Sequence, residues 1–270
     1  MVFHDTSQYC YEWLDKQPSV KEESLTDWLL YNISNLSPKV YYKAFTRNEE
    51  STNGADWEWW ILINSDFETK AYRLLVQAKK LKPNSDNYPL VTYSNKNGMQ
   101  IDLLIDEAKR RKALPLYAYY SCCKPNLSQQ LMNVNYIPND LLSWCGGCTN
   151  GCLLTSAFEL HSKVFSHSRR VIDEKELINS SFGLSILDVV FNKPMKPLNL
   201  LDKLARHYQY SVGNQESYTS GIVYKYRDLP QYVKTLIEKN TKEDLSWFEN
   251  EFRYHLDPLS GVVVIDAREL

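Results

Sequence analysis

Four polar residues in the first third of the chain have the types and the order of a metal-dependent hydrolytic site. Asp56 and Glu58 lie in an aromatic stretch, and Gln77 and Lys79 lie in the apolar stretch that follows it. Magnesium binds oxygen ligands and takes only one or two carboxylates while keeping several waters. Asp56 supplies a carboxylate, Gln77 a carbonyl oxygen, and Lys79 a compact cation that holds an attacking water or neutralises a phosphate. The set therefore predicts metal-assisted phosphodiester hydrolysis.

The elements that must bring these residues together are two strands joined by a turn. The strands are predicted at residues 53–63 and 72–79, with the turn at 64–66. A strand alternates its side chains with period 2, so Asp56 and Glu58 share one face. Gln77 and Lys79 likewise share one face, and a hairpin would gather all four at one edge of a sheet. Taken singly, Asp56 also suits a strand-opening turn, and Lys79 also suits a solvated strand end.

Other elements flank this hairpin in an order that the hydrophobic periodicity indicates. They are a helix at 20–36, a strand at 40–45, the two hairpin strands, a helix at 100–112 and a strand at 113–121. A short helix is also predicted before Pro18, which ends it. Ser19 and Glu22 have the spacing of a capping box, so Ser19 is expected to open the helix at 20–36.

Asp56 followed by Gln77-x-Lys79, in this order of elements, resembles the PD-(D/E)XK nuclease superfamily in its Asp…Gln-x-Lys variant. That variant is familiar from bacterial anti-phage defence and restriction-type endonucleases. The usual second motif is (Asp/Glu)-x-Lys, so Gln77 replaces an acid and removes a negative charge. The resemblance, which covers residues 20–121, implies a restriction-endonuclease-like αβββαβ core. It also implies a Mg2+- or Mn2+-dependent endonuclease acting on DNA in preference to RNA.

The resemblance assigns roles to particular residues. The expected catalytic set is Asp56, Gln77, Lys79 and Glu23, of which Asp56, Gln77 and Glu23 are the expected magnesium ligands. Glu23 enters because the first core helix of the family carries an acid that reaches toward the metal, and Glu22 is the close alternative. Glu50, Glu58 and Gln100 are secondary candidates, the last because the family often places a polar residue at the start of that helix.

Basic residues near the core are expected to contact nucleic-acid phosphates. They are Lys80, Lys82, Arg110 and Arg111. Each also has a plain structural reading, because strand ends are solvated and the C-terminal ends of helices favour cations.

The fold class is expected to be mixed α/β, with the remaining chain elaborating the core. The expected organisation is an N-terminal extension over 1–19, the nuclease core over 20–125 and a mostly helical extension over 126–270. Helices are predicted at 156–164, 178–191, 198–210, 229–239 and 241–254. Residues 261–266 form an apolar run typical of a buried strand, which is expected to rejoin the core sheet.

Three cysteines have spacings that permit a zinc site. Cys145 and Cys148 form a Cys-x-x-Cys pair, and Cys152 is a candidate third ligand. The second Cys-x-x-Cys of a zinc ribbon is missing, however. The alternative is a glycine-rich turn with Cys152 packed as a small hydrophobe.

Composition limits the class of protein. The chain has 270 residues, 43% of them hydrophobic and 24% charged, with a net charge of -2. These values are ordinary for a globular protein, and any nucleic-acid contact must come from a local basic patch. No secretory signal and no apolar stretch long enough for a bilayer are recognised, so a cytoplasmic protein without a membrane partner is expected. Motifs of phosphate-binding loops, dinucleotide-binding folds and serine hydrolases are missing from the sequence.

Two other functions remain open on the sequence. One is a catalytically inactive nuclease fold that binds nucleic acid or protein, and the other is a zinc-stabilised interaction protein. A homodimer is a further expectation, because many nucleases of this kind pair to cut both strands. The sequence leaves open the specificity and the activating signal.

Overall fold

The computed structural model describes most of the N-terminal half and parts of the C-terminal half of the chain. The described residues are 2–45, 53–64, 68–81, 93–95, 98–121, 151–166, 177, 181–185, 187–188, 223–239 and 246–268. Glu50, Lys82, Cys145, Cys148 and the predicted helix at 198–210 lie outside them.

The described elements form a mixed α/β structure, as expected from the sequence. The helices are α1 (Val2–Lys16), α2 (Glu22–Leu36), α3 (Gln100–Arg111), α4 (Ala157–Ser166), α5 (Gln231–Lys239) and α6 (Phe248–Leu256), with a 3-10 turn at Tyr226–Asp228. The strands are β1 (Val40–Ala44), β2 (Trp57–Asn64), β3 (Thr69–Lys80), β4 (Ser94–Asn95), β5 (Gly98–Met99), β6 (Leu114–Tyr120), β7 (Cys152–Ser156), β8 (Ser181–Gly183), β9 (Val223–Lys225) and β10 (Gly261–Ala267). The helix predicted at 178–191 is wrong where β8 runs, because a short apolar run fits a buried strand as well as a helix. None of the described helices combines the length and the apolar character needed to cross a membrane.

The main sheet is mixed and has the strand order β1-β10-β2-β3-β6-β7-β8, while β9 pairs with β3. The predicted hairpin of β2 and β3 is antiparallel, and β6 runs parallel to β3. β10 lies between β1 and β2, antiparallel to the first and parallel to the second. The described part after residue 150 therefore supplies four strands, and not only helices.

The side chains of the sheet divide between two faces. Tyr120 of β6 lies beside Lys80 of β3, and Glu58 of β2 lies beside Leu75. Lys80 and Leu75 are an odd number of residues apart on β3, so Tyr120 and Glu58 point to opposite faces.

Helices cover both of these faces. The Tyr120 hydroxyl donates to Thr26 of α2 at 2.9 Å, which places α2 on the first face. The Tyr232 hydroxyl of α5 donates to Glu58 at 2.5 Å, and Arg111 of α3 lies 3.7 Å from the same carboxylate. These contacts place α3 and α5 on the second face. Burial from both sides explains why β6 and β10 are buried along their whole length and read as continuous apolar runs.

Gly54 fixes the chain that enters β2 against the first turn of α3. Its φ is +74°, a left-handed conformation that residues with a Cβ rarely adopt. A Cβ at this position would lie 2.5 Å from the carbonyl oxygen of Gln100 and 2.6 Å from the amide nitrogen of Leu104. Asn53 shapes the same turn, because its side chain accepts a hydrogen bond from Ala55 N at 3.1 Å. The position of Asp56 at the sheet edge thus depends on Gly54, which packs directly against the backbone of α3.

We expect Gly54→Ala to lower the free energy of unfolding by about 2–4 kcal/mol, the sum of left-handed strain and overpacking against backbone atoms. Gly98→Ala is the matched control, because Gly98 also has a positive φ but a Cβ there meets nothing within 4 Å. Urea denaturation of both variants measures the difference. Equal losses in the two variants would contradict a close contact between this turn and α3.

Candidate active site at the end of strands β2 and β3

Asp56 is buried beside the last residues of β3, where donors from that strand hold its carboxylate. Gln77 Nε2 and the backbone amide of Ala78 both donate to Asp56 Oδ2, the second at 3.0 Å. Gln77 Nε2 also donates to the Ala78 carbonyl at 2.9 Å. Asp56 N in turn donates to Val76 O at 3.0 Å. The predicted meeting of an acid and an amide therefore occurs, and the antiparallel pairing of β2 with β3 brings it about.

Gln100 extends this carboxylate–amide pair onto α3. Its Nε2 donates to Gln77 Oε1 at 2.9 Å. Its own Oε1 is buried and accepts no hydrogen bond within the described structure. The polar residue predicted at the start of α3 thus faces the site through Gln77.

Glu22, rather than Glu23, is the helix acid that reaches the strand end. Its Oε2 accepts a hydrogen bond from Lys80 N at 2.8 Å. Burial raises the pKa of Glu22 to about 7; the positive charge of Lys79 opposes this rise, and the negative charge of Asp56 adds to it. The Glu22 and Asp56 carboxyl groups therefore interact electrostatically at the end of the sheet.

The expected capping box at Ser19 and Glu22 is wrong. Helix α2 begins at Glu22, its N-cap is Lys21, and no side chain caps the first turn. The Glu22 carboxylate instead accepts a hydrogen bond from the β3 backbone, which places it at the end of the sheet. Glu23, the acid favoured on the sequence, is exposed.

An acidic cleft of about 200 Å³ opens beside these residues. All the charged residues among its described lining are acids: Glu22, Glu23, Asp27 and Asp56. A concave site with one sign of charge attracts ions of the opposite sign. The cleft therefore favours a cation over an anionic group.

Lys79 lies near this cluster without lining the cleft. Its ammonium lies 5.9 Å from the centre of the Tyr93 ring, and its charge acts on Glu22. An ammonium on a flexible stem can approach the Glu22 carboxyl group or a group bound beside it.

Glu58, a secondary candidate, does not join the site. Its carboxylate is fully buried and pairs with Arg73 at 2.7 Å. It also accepts hydrogen bonds from Tyr232 at 2.5 Å and from Trp60 Nε1 at 2.6 Å. Asp56 lies just before β2 and lines the cleft beside α2, whereas Glu58 lies under α3 and α5, so the predicted shared face does not bring Glu58 to the site.

Two of the predicted nucleic-acid contacts are occupied inside the protein. Arg111 is buried and donates to the carbonyls of His255 and Asp257 at 2.7 and 2.9 Å, which joins α3 to the end of α6. Lys80 Nζ donates to the carbonyls of Pro18 and Val20 at 2.9 and 2.6 Å and so fixes the turn between α1 and α2. The assignment of Arg111 to nucleic acid is therefore wrong, and the ammonium of Lys80 serves the fold.

Arg110 remains exposed and is paired on its own helix. It donates to both oxygens of Glu107 at 2.6 and 2.7 Å. Burial raises the pKa of Glu107, but hydrogen bonds from Arg110 and Arg111 outweigh it and lower that pKa to about 2. Because this pair is bidentate, Arg110 would have to leave Glu107 before it could contact a phosphate.

Cys152 is buried in β7 and faces α1. Its backbone amide donates to Ser7 Oγ at 3.1 Å. Burial raises the pKa of Cys152 well above its ordinary value and that of Cys10 to about 12. Cys152 therefore packs as a small hydrophobe, and the predicted zinc site stays a prediction because Cys145 and Cys148 lie outside the described residues.

The polar groups at the end of β3 suit magnesium better than zinc. Within the described residues, no group of three or more His, Cys, Asp or Glu side chains is arranged to hold a metal ion. Glu22 and Asp56 supply two carboxylates and Gln77 an amide oxygen, a set that matches a hard cation retaining several waters. The buried Gln100 oxygen that lacks a donor belongs to the same network.

Fold and site together define a mixed α/β protein with an acidic cleft where a buried carboxylate–amide pair meets a second acid. The chain belongs to DUF6615, a family of unknown function, whose model matches residues 1–270. The searches among curated proteins and among solved structures gave no match.

The raised pKa of Glu22 gives the metal-free protein a specific pH dependence. Stability from this group is fully present below its ordinary value of 4.5 and is lost as pH rises through about 7. We expect the wild type in EDTA to lose roughly 2–3 kcal/mol of unfolding free energy from this group across that window. Glu22→Gln removes the loss because it retains the acceptor without the charge. Urea titrations at several pH values measure it, with Glu23→Gln as control; parallel curves for wild type and Glu22→Gln would contradict the assignment.

The buried Glu58 carboxylate is expected to stabilise the fold and not to bind metal. Glu58→Gln leaves the Arg73 guanidinium buried without its counter-charge and should cost about 3 kcal/mol. Glu159→Gln is the control, because the Glu159–Lys163 pair at 3.3 Å is partly exposed and contributes little. Urea denaturation and Mg2+ titration of both variants check this. Weakened Mg2+ binding in a stable Glu58→Gln protein would contradict this prediction and show that Glu58 takes part in metal binding.

Proposed function

We propose that this protein is a metal-dependent nuclease with a PD-(D/E)XK-like active site, most simply a Mg2+- or Mn2+-dependent DNA endonuclease. The observation that carries the proposal is the contact between Asp56 and Gln77 at the end of β2 and β3, with Glu22 facing the same cleft. The order α2, β1, β2, β3, α3, β6 supports it, because it matches the core order of that superfamily. β10 is an addition to this order, inserted between β1 and β2.

Each residue has a distinct part in this proposal. Asp56 and Glu22 hold the cation through their carboxylates, and Gln77 supplies an amide oxygen. Glu23 lies on the cleft wall, where an exposed carboxylate can bind a water of the ion's hydration shell. The bound ion polarises a phosphoryl oxygen and lowers the pKa of a water.

Lys79 acts on the phosphate rather than on the metal. A lysine ammonium is a mobile point charge that stabilises negative charge building up on a phosphoryl group. Its ammonium lies 5.9 Å from the centre of the Tyr93 ring, and its charge acts on Glu22 at the cleft. We expect the negative charge of a bound substrate phosphate to draw the Lys79 ammonium toward it.

The acidic lining of the cleft sets an order of binding. Four carboxylates repel a phosphate backbone, so nucleic acid approaches only after a divalent cation has reduced the local charge. This favours an enzyme over a module that binds nucleic acid without metal. Arg110, on the exposed side of α3, remains as a phosphate contact outside the cleft.

A part in defence against phage, a cytoplasmic location and pairing into a homodimer follow from the resemblance and stand as further proposals. The choice of DNA over RNA has the same basis.

The test is plasmid and oligonucleotide cleavage with Mg2+, with Mn2+ and with EDTA. We expect Asp56→Asn and Lys79→Met to lower the cleavage rate by about 100-fold or more, because each removes a charge that acts in the transition state. Lys70→Met is the matched control, since Lys70 lies on the same strand at the end away from the site. Single-stranded DNA and RNA run alongside as substrates.

The outcomes separate the candidate functions. Equal cleavage by wild type and Lys79→Met would reject the assigned site. Tight nucleic-acid binding in EDTA with no cleavage under any condition would favour the inactive binding module. Stoichiometric zinc in folded protein would favour the zinc-stabilised alternative.

A further inference from the structure

We propose that Gln100 is a positioning residue that controls which atom of the Gln77 amide faces Asp56, so that the two amides turn over together when a divalent cation binds. The inference rests on the proposed function, because it concerns the same cation. It adds a residue of α3 that controls how Gln77 presents its oxygen.

In the structure, the amide nitrogen of Gln77 rather than its oxygen faces the carboxylate. Gln77 Nε2 faces Asp56 Oδ2, while Gln77 Oε1 faces Gln100 Nε2 at 2.9 Å. An amide nitrogen is not a ligand for magnesium, whereas an amide oxygen is. Gln77 can therefore serve as a ligand only after its amide rotates.

Rotation of Gln77 alone is unfavourable without a cation. It would place Gln77 Oε1 beside Asp56 Oδ2, two acceptors without a proton between them. A divalent cation between these oxygens turns the repulsion into coordination. The Ala78 carbonyl, which now accepts from Gln77 Nε2 at 2.9 Å, would lose that donor in the same step.

Rotation of Gln77 also requires a response from Gln100. Once turned, Gln77 Nε2 points at Gln100 Nε2, and two donors cannot satisfy each other. When Gln100 turns as well, its Oε1 accepts from Gln77 Nε2. That oxygen is the buried acceptor that has no donor in the described structure. The coupled turn thus satisfies an atom whose lack of a partner is otherwise unexplained, and such atoms are uncommon in folded proteins.

The backbone of α3 holds Gln100 where only its terminal amide needs to move. Its amide nitrogen donates to Tyr93 O at 2.9 Å, and its carbonyl oxygen lies against Gly54. Rotation about the terminal torsion of a glutamine is broad and roughly two-fold, so the two amide orientations are both accessible without strain.

The test measures Mg2+ binding to the full chain by calorimetry, and the side-chain amide signals of Gln77 and Gln100 by 1H–15N NMR. In the wild type, both pairs of signals should move with one midpoint during the Mg2+ titration. Gln100→Met removes the donor that holds Gln77 Oε1 as well as the acceptor for a turned Gln77 Nε2, so the two losses offset and Mg2+ binding should stay within about threefold of the wild type. Gln8→Met on α1 is the matched control and should bind like the wild type.

Gln100→Glu separates positioning from charge. A carboxylate accepts but does not donate, so it favours the turned Gln77 and should bind Mg2+ at least as tightly as the wild type. In a Gln77→Glu background residue 77 has no N–H to donate, and the same substitution should bring no gain. A gain in both backgrounds would be a charge effect and would overturn the inference.

Two further results would also overturn it, in distinguishable ways. If Gln77 signals move while Gln100 signals stay, or if Gln100→Glu binds Mg2+ more weakly than the wild type, the coupled turn is wrong and the nuclease proposal is untouched. If the wild type binds no Mg2+, or Asp56→Asn binds it equally well, the proposed metal site fails and this inference fails with it.

Discussion

The hydrogen bonds between the Asp56 carboxylate and the end of β3 are the constraint on which the site depends. A buried carboxylate needs donors, and it finds them in the Gln77 side chain and the Ala78 amide. Because successive side chains of a strand alternate, a slip of one residue between β2 and β3 would replace Gln77 by an apolar neighbour. The register that buries Trp57 against Val76 is therefore the same register that satisfies Asp56. Packing and site chemistry select one alignment.

The two faces of the sheet give their acids opposite environments. Glu58 is enclosed with Arg73 and Arg111, so its charge is balanced inside the protein. At the cleft, Glu22 and Asp56 accept hydrogen bonds from backbone and amide donors, and burial raises the pKa of Glu22 to about 7 although the charge of Lys79 opposes the rise. A buried acid whose pKa is raised in a cleft is a candidate functional group. This contrast, rather than the number of acids, distinguishes the cleft from the buried network.

Local patterns in the sequence predicted the elements around the site but not the contacts that assign roles. Alternation along β2 and β3 gave the hairpin, and helical spacing gave α2 and α3. The burial of Arg111 was not predictable, because its partners, the carbonyls of His255 and Asp257, are distant in sequence. The same holds for Glu22, where a local capping pattern competes with a long-range bond to Lys80 N. The insertion of β10 between β1 and β2 is likewise a long-range choice that no local pattern encodes.

In the proposed site, glutamine at position 77 lets the end of the sheet satisfy its own hydrogen bonds before a cation binds. A carboxylate there would lie within hydrogen-bond distance of Asp56, and two buried like charges strongly disfavour full ionisation unless a cation separates them. The amide instead donates to Asp56 and accepts from Gln100, so the sheet edge closes without an ion. The loss of one negative charge weakens the attraction for the cation. A cation that binds the Gln77 oxygen must also break the hydrogen bonds of Gln77 with Asp56 and Gln100, which lowers the affinity. The hydrogen bonds that stabilise the fold at Gln77 therefore oppose metal binding there.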